Sequence, residues 1–456
     1  MSQTAHSALL TDLYELTMAA AYFDRGFEAS ATFELFVRDL PPKRGFLLVA
    51  GLEQALDYLA DLRFTHDDID YLRRHPAFGN VSRGFYQYLR DFRFTGEVWA
   101  IPEGVPAFAG EPLLRVTAPI IEAQVVETFL LTTITFQTMI ATKAARIVQS
   151  AAGRVVVDFG TRRAHGPEAG TLAARAAFIG GCIGTSNVEA GRRFGIPTYG
   201  TVAHSYVMAH QQEDESFRDL LATFPQHAVL LVDTYDTLAA IDRLVALGLK
   251  PRGVRLDSGD LVELSRQTRR RLRQAGLADT QIFASGDLDE YLVADALRAG
   301  AEVDAFGVGT ALATSKDEPA LSGVYKLVEI ESGGQRQPRA KFSEGKATYP
   351  GPKQVFRFPA ADGSYSHDLI ACDTEQYPGA DALLARVMMD GKPTAPSPPL
   401  TELQQRARRE LSRLPARHRA LRDPASYPVG ISRGLEALME EVRSRILPTV
   451  AKEEGR

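Results

Sequence analysis

The chain of 456 residues is 45% hydrophobic and 24% charged, an ordinary globular composition with room for two or three domains. Its net charge of -5 argues against nucleic acid or an anionic membrane as the main partner. Its 2 cysteines, Cys182 and Cys372, cannot build a disulfide framework and lie in no Cys-His metal spacing, which points to a reducing compartment.

The first apolar stretch is broken by Asp12 and Glu15 and lacks a basic lead-in, so no secretory signal is expected and the location is read as cytoplasmic. A helix is predicted from Thr11 and Asp12 onward. In the next segment Thr32, Glu34 and Arg38 interleave with Phe33, Leu35 and Val37, the alternation of a half-exposed strand. Two further runs, GEVWAIPEG and PLLRVTAP, flank Pro106 and Gly110 and suggest an antiparallel, one-sided sheet. The apolar stretch Ala123 to Thr142 carries Glu127 and many threonines, and reads as a buried helix rather than a membrane span.

From about Glu122 to Leu321 the pattern changes. Six short apolar runs end abruptly in Gly, Asp, Arg, His, Ser or Thr: VVVDFGTRR (Val155 to Arg163), Ile196 through GTVAHS (Gly200 to Ser205), VLLVDTYD (Val229 to Asp236), GVRLDSGD (Gly253 to Asp260), IFASGDLDE (Ile282 to Glu290) and VDAFGVGT (Val303 to Thr310). Continuous apolar runs are what strands buried on both faces look like. The segments between them fit helices, as with Leu238, Ile241, Leu244, Val245 and Leu247 at three- and four-residue spacing. Repeated strand, polar loop and helix is the βαβ signature, and ligands then bind at the carboxyl ends of the strands. The plainer alternative is that the polar endings are helix caps and turns.

Past Leu321, GVYKLVEI resumes alternation and is expected to return strands to the N-terminal sheet. The tail from Pro396 reads as two charged helices separated by PASYPVG. Its basic run, Arg406, Arg408, Arg409, Arg413, Arg417, His418, Arg419 and Arg422, is taken as a solvated helix face. The expected organisation is an N-terminal α/β domain at 1–121, a barrel at 122–321, returning strands at 322–395 and a helical segment at 396–456.

Each run ending has its own chemistry. Gly307 and Gly309 ahead of Thr310 leave backbone amides uncovered for phosphate, though Leu312 stands where a dinucleotide fingerprint needs its third glycine. SGDL occurs at Ser258 to Leu261 and at Ser285 to Leu288, so Asp257, Asp260 or Asp287 could serve a ribose hydroxyl or a hydrated magnesium ion; a helix N-cap is the competing role for each. Arg255, inside an apolar run, needs an anion: either a substrate carboxylate or an ion pair with Asp257 or Asp233. Phe159 beside Arg162 and Arg163 could stack an aromatic acid and hold its charge. His204 is either a hydrogen-bonded core histidine or a nucleophile toward phosphorus, with Asp233 expected to orient its ring.

The motifs TDLYELTM, DFGTRRAHGP, GTSNVEAG, GTVAHS, VRLDSGDL and FGVGT, with the loop K-x-S and PGPKQV, resemble the nicotinate phosphoribosyltransferase family over most of the chain. That resemblance implies the type II phosphoribosyltransferase fold, an irregular α/β (TIM-like) barrel plus a discontinuous α/β sheet domain. It also implies condensation of nicotinate with phosphoribosyl pyrophosphate in NAD salvage, coupled to ATP hydrolysis with magnesium and a phosphorylated His204. By the same resemblance Tyr14, from the partner subunit of a homodimer, and Phe159 would sandwich the pyridine. Thr201, Arg255 and Ser186 would bind nicotinate, Arg162 the product phosphate, and Gly286, Asp287, Gly307, Gly309 and Thr310 the phosphates of phosphoribosyl pyrophosphate. The nicotinamide-specific relatives carry an Asp where Ser186 or Asn187 stands here, which favours the acid as substrate. A non-catalytic phosphate-ligand sensor on the same fold is the alternative from another class. The basic loop leaves Lys326, Lys341, Lys346 and Lys353 as candidates for a phosphate contact.

Overall fold

A computed structural model describes residues 7–343 and 347–446. The fold is mixed α/β, and the chain divides into two compact units. One comprises Met1–Thr138, Ala320–Pro398 and Arg409–Arg456; the other comprises Met139–Pro319 and Pro399–Arg408.

The second unit is built on a six-stranded parallel sheet. Its order is Gly184–Thr185, Val155–Asp158, Ala305–Val308, Gln281–Ala284, Gly253–Leu256 and Val229–Leu231. A parallel bridge from Thr185 to Thr198 extends the first edge. Val156, Val157, Phe306, Val308, Ile282, Ala284, Val254, Leu256, Leu230 and Leu231 are all buried, as strands covered by helices require. Three acids at run endings cap the helices that follow. Asp236 accepts from the amide of Ala239, Asp260 from Glu263, and Asp289 from both Tyr291 and Leu292. For Asp260 the cap is therefore the observed role, whereas Asp233, Asp257 and Asp287 stand at strand ends without capping a helix.

The first unit holds a seven-stranded sheet in the order Gln335–Pro338, Gly323–Ser332, Ser30–Val37, Pro112–Pro119, Glu97–Ala100, Ala385–Met389 and Lys392–Pro393. Neighbours in it run antiparallel. The alternation of Ser30–Val37 does not mark a solvent face, because this strand is buried on both sides. Glu34 is fully buried and takes the backbone amide and the ammonium of Lys353, each at 2.8 Å, while Thr32 shares a hydrogen bond with Thr117 at 3.0 Å. Polar residues here report internal pairing, which a central strand needs once water is excluded.

The helix Glu127–Ser150 follows the apolar stretch; the helical stretch Ile120–Ser150 is long and apolar enough to cross a membrane and is mostly buried. Lys143 and Arg146 on it are buried and paired with the fully buried Glu290 at 2.5 and 3.0 Å. The tail contains the helices Leu400–Arg413 and Arg433–Ile446. Its basic run is not uniformly solvated: His418 is buried, shares a 2.8 Å hydrogen bond with the Ala425 carbonyl and packs edge-on against Tyr427.

Candidate active site

Strand register gathers the run endings at one edge of the parallel sheet. Leu231, Arg255 and Phe283 are in line, as are Ala284, Phe306 and Val156, and then Val308, Asp158 and Thr185. The residues that follow leave the sheet together: Asp233, Asp257, Ser285, Gly309, Phe159, Ser186 and, after the Thr198 bridge, the segment Gly200 to His204. This is where parallel α/β sheets place ligands.

Arg255 is the hub. Its side chain is only 12% exposed, so its donors must find partners inside the protein. Nε donates to Ser285 Oγ at 2.7 Å, Nη1 to Thr201 Oγ1 at 2.9 Å and to the Val202 carbonyl at 3.4 Å, and Nη2 to Asp257 Oδ1 at 2.7 Å. The ion pair with Asp257 is thus real, and the same guanidinium also reaches the Thr201 segment. It lies 5.8 Å from the centroid of the Phe159 ring.

His204 opens the short helix His204–Met208. Its Nδ1 is 3.2 Å from Thr234 Oγ1, and its Nε2 is 3.7 Å from Asp257 Oδ2. Asp233, expected to orient the ring, is not among these partners. Its Oδ2 accepts from the Asp257 amide at 3.0 Å and the Ser258 hydroxyl at 2.6 Å, which ties that carboxylate to the neighbouring strand end. Asp257 faces the histidine instead. Burial works to raise its pKa, but the Ser285 hydrogen bond, the Arg255 guanidinium and His204 outweigh burial and hold the carboxyl below its usual range.

Phe159 stacks on Phe283 at 5.5 Å, and Gly307 gives the two rings their space: a methyl there would lie 2.6 Å from Phe159 and 2.8 Å from Phe283. Beneath them Asp158, fully buried, accepts from the Gly160 amide at 2.8 Å and Thr185 Oγ1 at 2.7 Å, and burial raises its pKa. Asp158 therefore fixes the turns that carry Phe159 and Ser186. Ser186 is exposed, while Asn187 is buried and caps the helix Val188–Phe194. Arg162 and Arg163 lie exposed on a single 3-10 turn, Thr161–Arg163. Gly309 leads into the four-residue helix Thr310–Ala313. Gly286 at φ +99° and Asp287 at φ +44° form the turn after Ser285.

Tyr14 belongs to the other unit, on the helix Leu13–Asp24, and is 45% exposed. Its hydroxyl is hydrogen-bonded to Glu127, and burial with nearby carboxylates pushes its pKa up. Among the lysines of the basic loop, Lys353 is taken up by Glu34 and by the carbonyls of Tyr349 and Gly351, so it is structural; Lys346 lies outside the described residues. Thr234 and Ser285 are site residues that sequence reading does not single out. The doubled SGDL motif, whose second copy opens on Ser285, is the one signal that bears on either.

A family model described as nicotinate phosphoribosyltransferase (NAPRTase) family matches residues 155–335. Models of that family's N-terminal and C-terminal domains match 9–135 and 379–439. A nicotinate phosphoribosyltransferase of Mycobacterium tuberculosis is 46% identical over 433 residues, covering 93% of this chain and 91% of its own length. The chain belongs to the nicotinate phosphoribosyltransferase family. A nicotinate phosphoribosyltransferase of Bacillus subtilis is 39% identical over 476 residues, covering 96% of each chain. The crystal structure of the human nicotinic acid phosphoribosyltransferase superposes with a TM-score of 0.84 at 31% identity, over 95% of this chain and 99% of that one. These relatives span nearly the whole chain, so the family assignment embraces both compact units.

Proposed function

We propose that this chain condenses nicotinate with phosphoribosyl pyrophosphate to give nicotinate mononucleotide and pyrophosphate in NAD salvage, with ATP hydrolysis coupled through phosphorylation of His204. The observation that carries the reading is the Arg255 guanidinium, shared among Thr201, Ser285 and Asp257 beside the Phe159 ring, with His204 facing the same Asp257. A planar acid fits this set, its ring against Phe159 and its carboxylate toward Arg255 and Thr201. Neither Ser186 nor Asn187 offers the carboxylate that would prefer an amide, which supports nicotinate over nicotinamide.

The protein's task in the transfer is chiefly placement. The pyridine nitrogen displaces pyrophosphate at the anomeric carbon: a C–N bond forms, the C–O bond breaks, and its electron pair leaves with the pyrophosphate. Holding nitrogen, carbon and leaving oxygen in line supplies much of the acceleration. Backbone amides around Gly286, Gly309 and Thr310, with Asp287 on the ribose side, are assigned to phosphoribosyl pyrophosphate and exposed Arg162 to the product phosphate, while Gly307, buried inside the strand Ala305–Val308, serves the Phe159–Phe283 stack instead of a phosphate. Tyr14 of the partner subunit in a homodimer would close the ring site opposite Phe159.

Magnesium suits the donor set. Asp257 is held ionised and Asp287 is exposed at the next strand end, while no group of three or more His, Cys, Asp or Glu forms a cage among the described residues. A hard cation held by one or two carboxylates plus substrate phosphates matches that pattern, and when bound it would neutralise charge on the departing pyrophosphate. The imidazole of His204 would accept the γ-phosphoryl group of ATP, with ADP leaving, and water would later release phosphate. Each 1.4 kcal/mol so coupled shifts the transfer equilibrium about tenfold. A cytoplasmic location belongs to the same proposal.

Incubating the purified chain with nicotinate, phosphoribosyl pyrophosphate and γ-labelled ATP tests it. Nicotinate mononucleotide formation with label mapped to His204 is expected. Ligand binding without turnover would make the chain a sensor, and turnover of nicotinamide alone would overturn the substrate assignment.

A further inference from the structure

An arginine beside an aspartate can close on it as a two-pronged pair. Arg357 does so, reaching the buried Asp368 through Nε at 2.9 and 3.1 Å and through Nη2 at 2.6 Å, whereas Arg115 meets Asp373 and Arg271 meets Asp242 through one nitrogen each. Arg255 and Asp257 stand two residues apart at a strand end, yet a single 2.7 Å bond from Nη2 joins them. The prong that would complete the pair, Nε, is occupied by Ser285 Oγ at 2.7 Å, and the same hydroxyl lies 2.5 Å from Asp257 Oδ1. A carboxylate only accepts and a guanidinium only donates, so the Ser285 hydroxyl must donate to Asp257 and accept from Arg255.

The backbone fixes Ser285 there. Parallel register sets Phe283 against Arg255 and Ala284 against Leu256, and the Ser285 amide donates to the Leu256 carbonyl at 2.9 Å. Gly286 then turns at φ +99°, so close that a methyl on it would lie 2.1 Å from the Asp257 carbonyl oxygen. Ser285 itself is buried.

We infer that Ser285 is a positioning residue that keeps Arg255 from closing on Asp257, leaving Nη1 directed at Thr201 and Val202, where the acid substrate is to be read. This rests on the proposed assignment of Arg255 and Thr201 to nicotinate. Without the hydroxyl, Nε turns to Asp257, the pair becomes two-pronged, and Nη1 leaves the Thr201 segment.

Two measurements on Ser285→Ala decide it. In a crystal structure of the variant, Arg255 should bind Asp257 through two nitrogens with Nη1 released from Thr201; Nη1 still on Thr201 overturns the inference. In steady-state kinetics KM for nicotinate should rise about ten- to hundredfold, the worth of a hydrogen bond to a charged group, with kcat held within about twofold as loss of binding shared by ground and transition states requires. An unchanged KM, or a fall in kcat alone, overturns it. Ser285→Thr, which keeps the hydroxyl, should restore KM, and Ser285→Cys, which fills the site with a weakly hydrogen-bonding thiol, should behave as the alanine variant and replaces it should that variant not fold. A wild-type chain inactive on nicotinate would defeat the proposed reaction, while the crystal structure would still decide the role of Ser285.

Discussion

Oδ2 of Asp257 lies 3.7 Å from Nε2 of His204, while Oδ1 of the same carboxylate is held by Arg255 and Ser285. One acid therefore serves both the imidazole assigned to phosphoryl transfer and the guanidinium assigned to nicotinate. Asp257→Asn should damage both: KM for nicotinate up about tenfold and the rate of histidine phosphorylation down about a hundredfold, typical for losing one charged hydrogen bond and one acid-base partner. Thr234→Val removes the hydroxyl 3.2 Å from His204 Nδ1 and should slow phosphorylation while leaving KM for nicotinate unchanged. Rapid-quench labelling and steady-state kinetics read the two effects, and an Asp257→Asn variant altered in only one would separate the sites.

The depressed pKa of Asp257 has a definite sign. A carboxyl whose folded value sits below its unfolded value of about 3.9 adds stability above that pH and loses it as pH falls through the folded value. The difference in unfolding free energy between wild type and Asp257→Asn should shrink as pH falls below about pH 4. Urea titrations from about pH 5 down to about pH 3 test it; a difference that stays constant below about pH 4 would overturn the assignment.

Gly307→Ala places a methyl 2.6 Å from Phe159 and 2.8 Å from Phe283, both rings rather than flexible chain ends. Overpacking of this kind costs about 1–3 kcal/mol. The loss should appear in chemical denaturation, together with a raised KM for nicotinate as Phe159 is pushed off its stack. Normal stability with normal KM would show that the rings yield freely.

Glu290 is fully buried between Lys143 and Arg146. Glu290→Ala removes an acid shared by two buried cations, of which Lys143 keeps Asp317 at 2.7 Å, and should cost about 3–5 kcal/mol, chiefly through Arg146. The denaturation midpoint would fall by a corresponding amount, and a shift within error would mean that the cations rearrange at little cost.

The architecture was legible where burial is symmetrical. Runs such as Val155–Asp158 and Ala305–Val308 are apolar throughout because helices cover both faces, and their polar endings converge because parallel strands end together. Ser30–Val37 misleads for the opposite reason. Its alternation implies a wet face, but Glu34 meets Lys353 at a separation of 319 residues, which no local pattern reveals. At the site, His204, Arg255 and Asp257 announce themselves by residue type. The choice of Asp257 over Asp233 as the acid facing His204 depends on how adjacent strand ends turn. Thr234 and Ser285 pass unnoticed because a hydroxyl beside an acid is ordinary loop composition until its partners are known.

The seven-stranded sheet closes late in synthesis. Ser30–Val37 and its neighbour Pro112–Pro119 are made early, but its other neighbour, Gly323–Ser332, emerges only after the intervening chain is made. At typical ribosomal speeds those roughly 200 residues take about 10–40 seconds. Throughout that interval the nascent chain displays a bare strand edge able to pair with a stray polypeptide, so molecules in which Gly323–Ser332 arrives slowly should be the ones that aggregate.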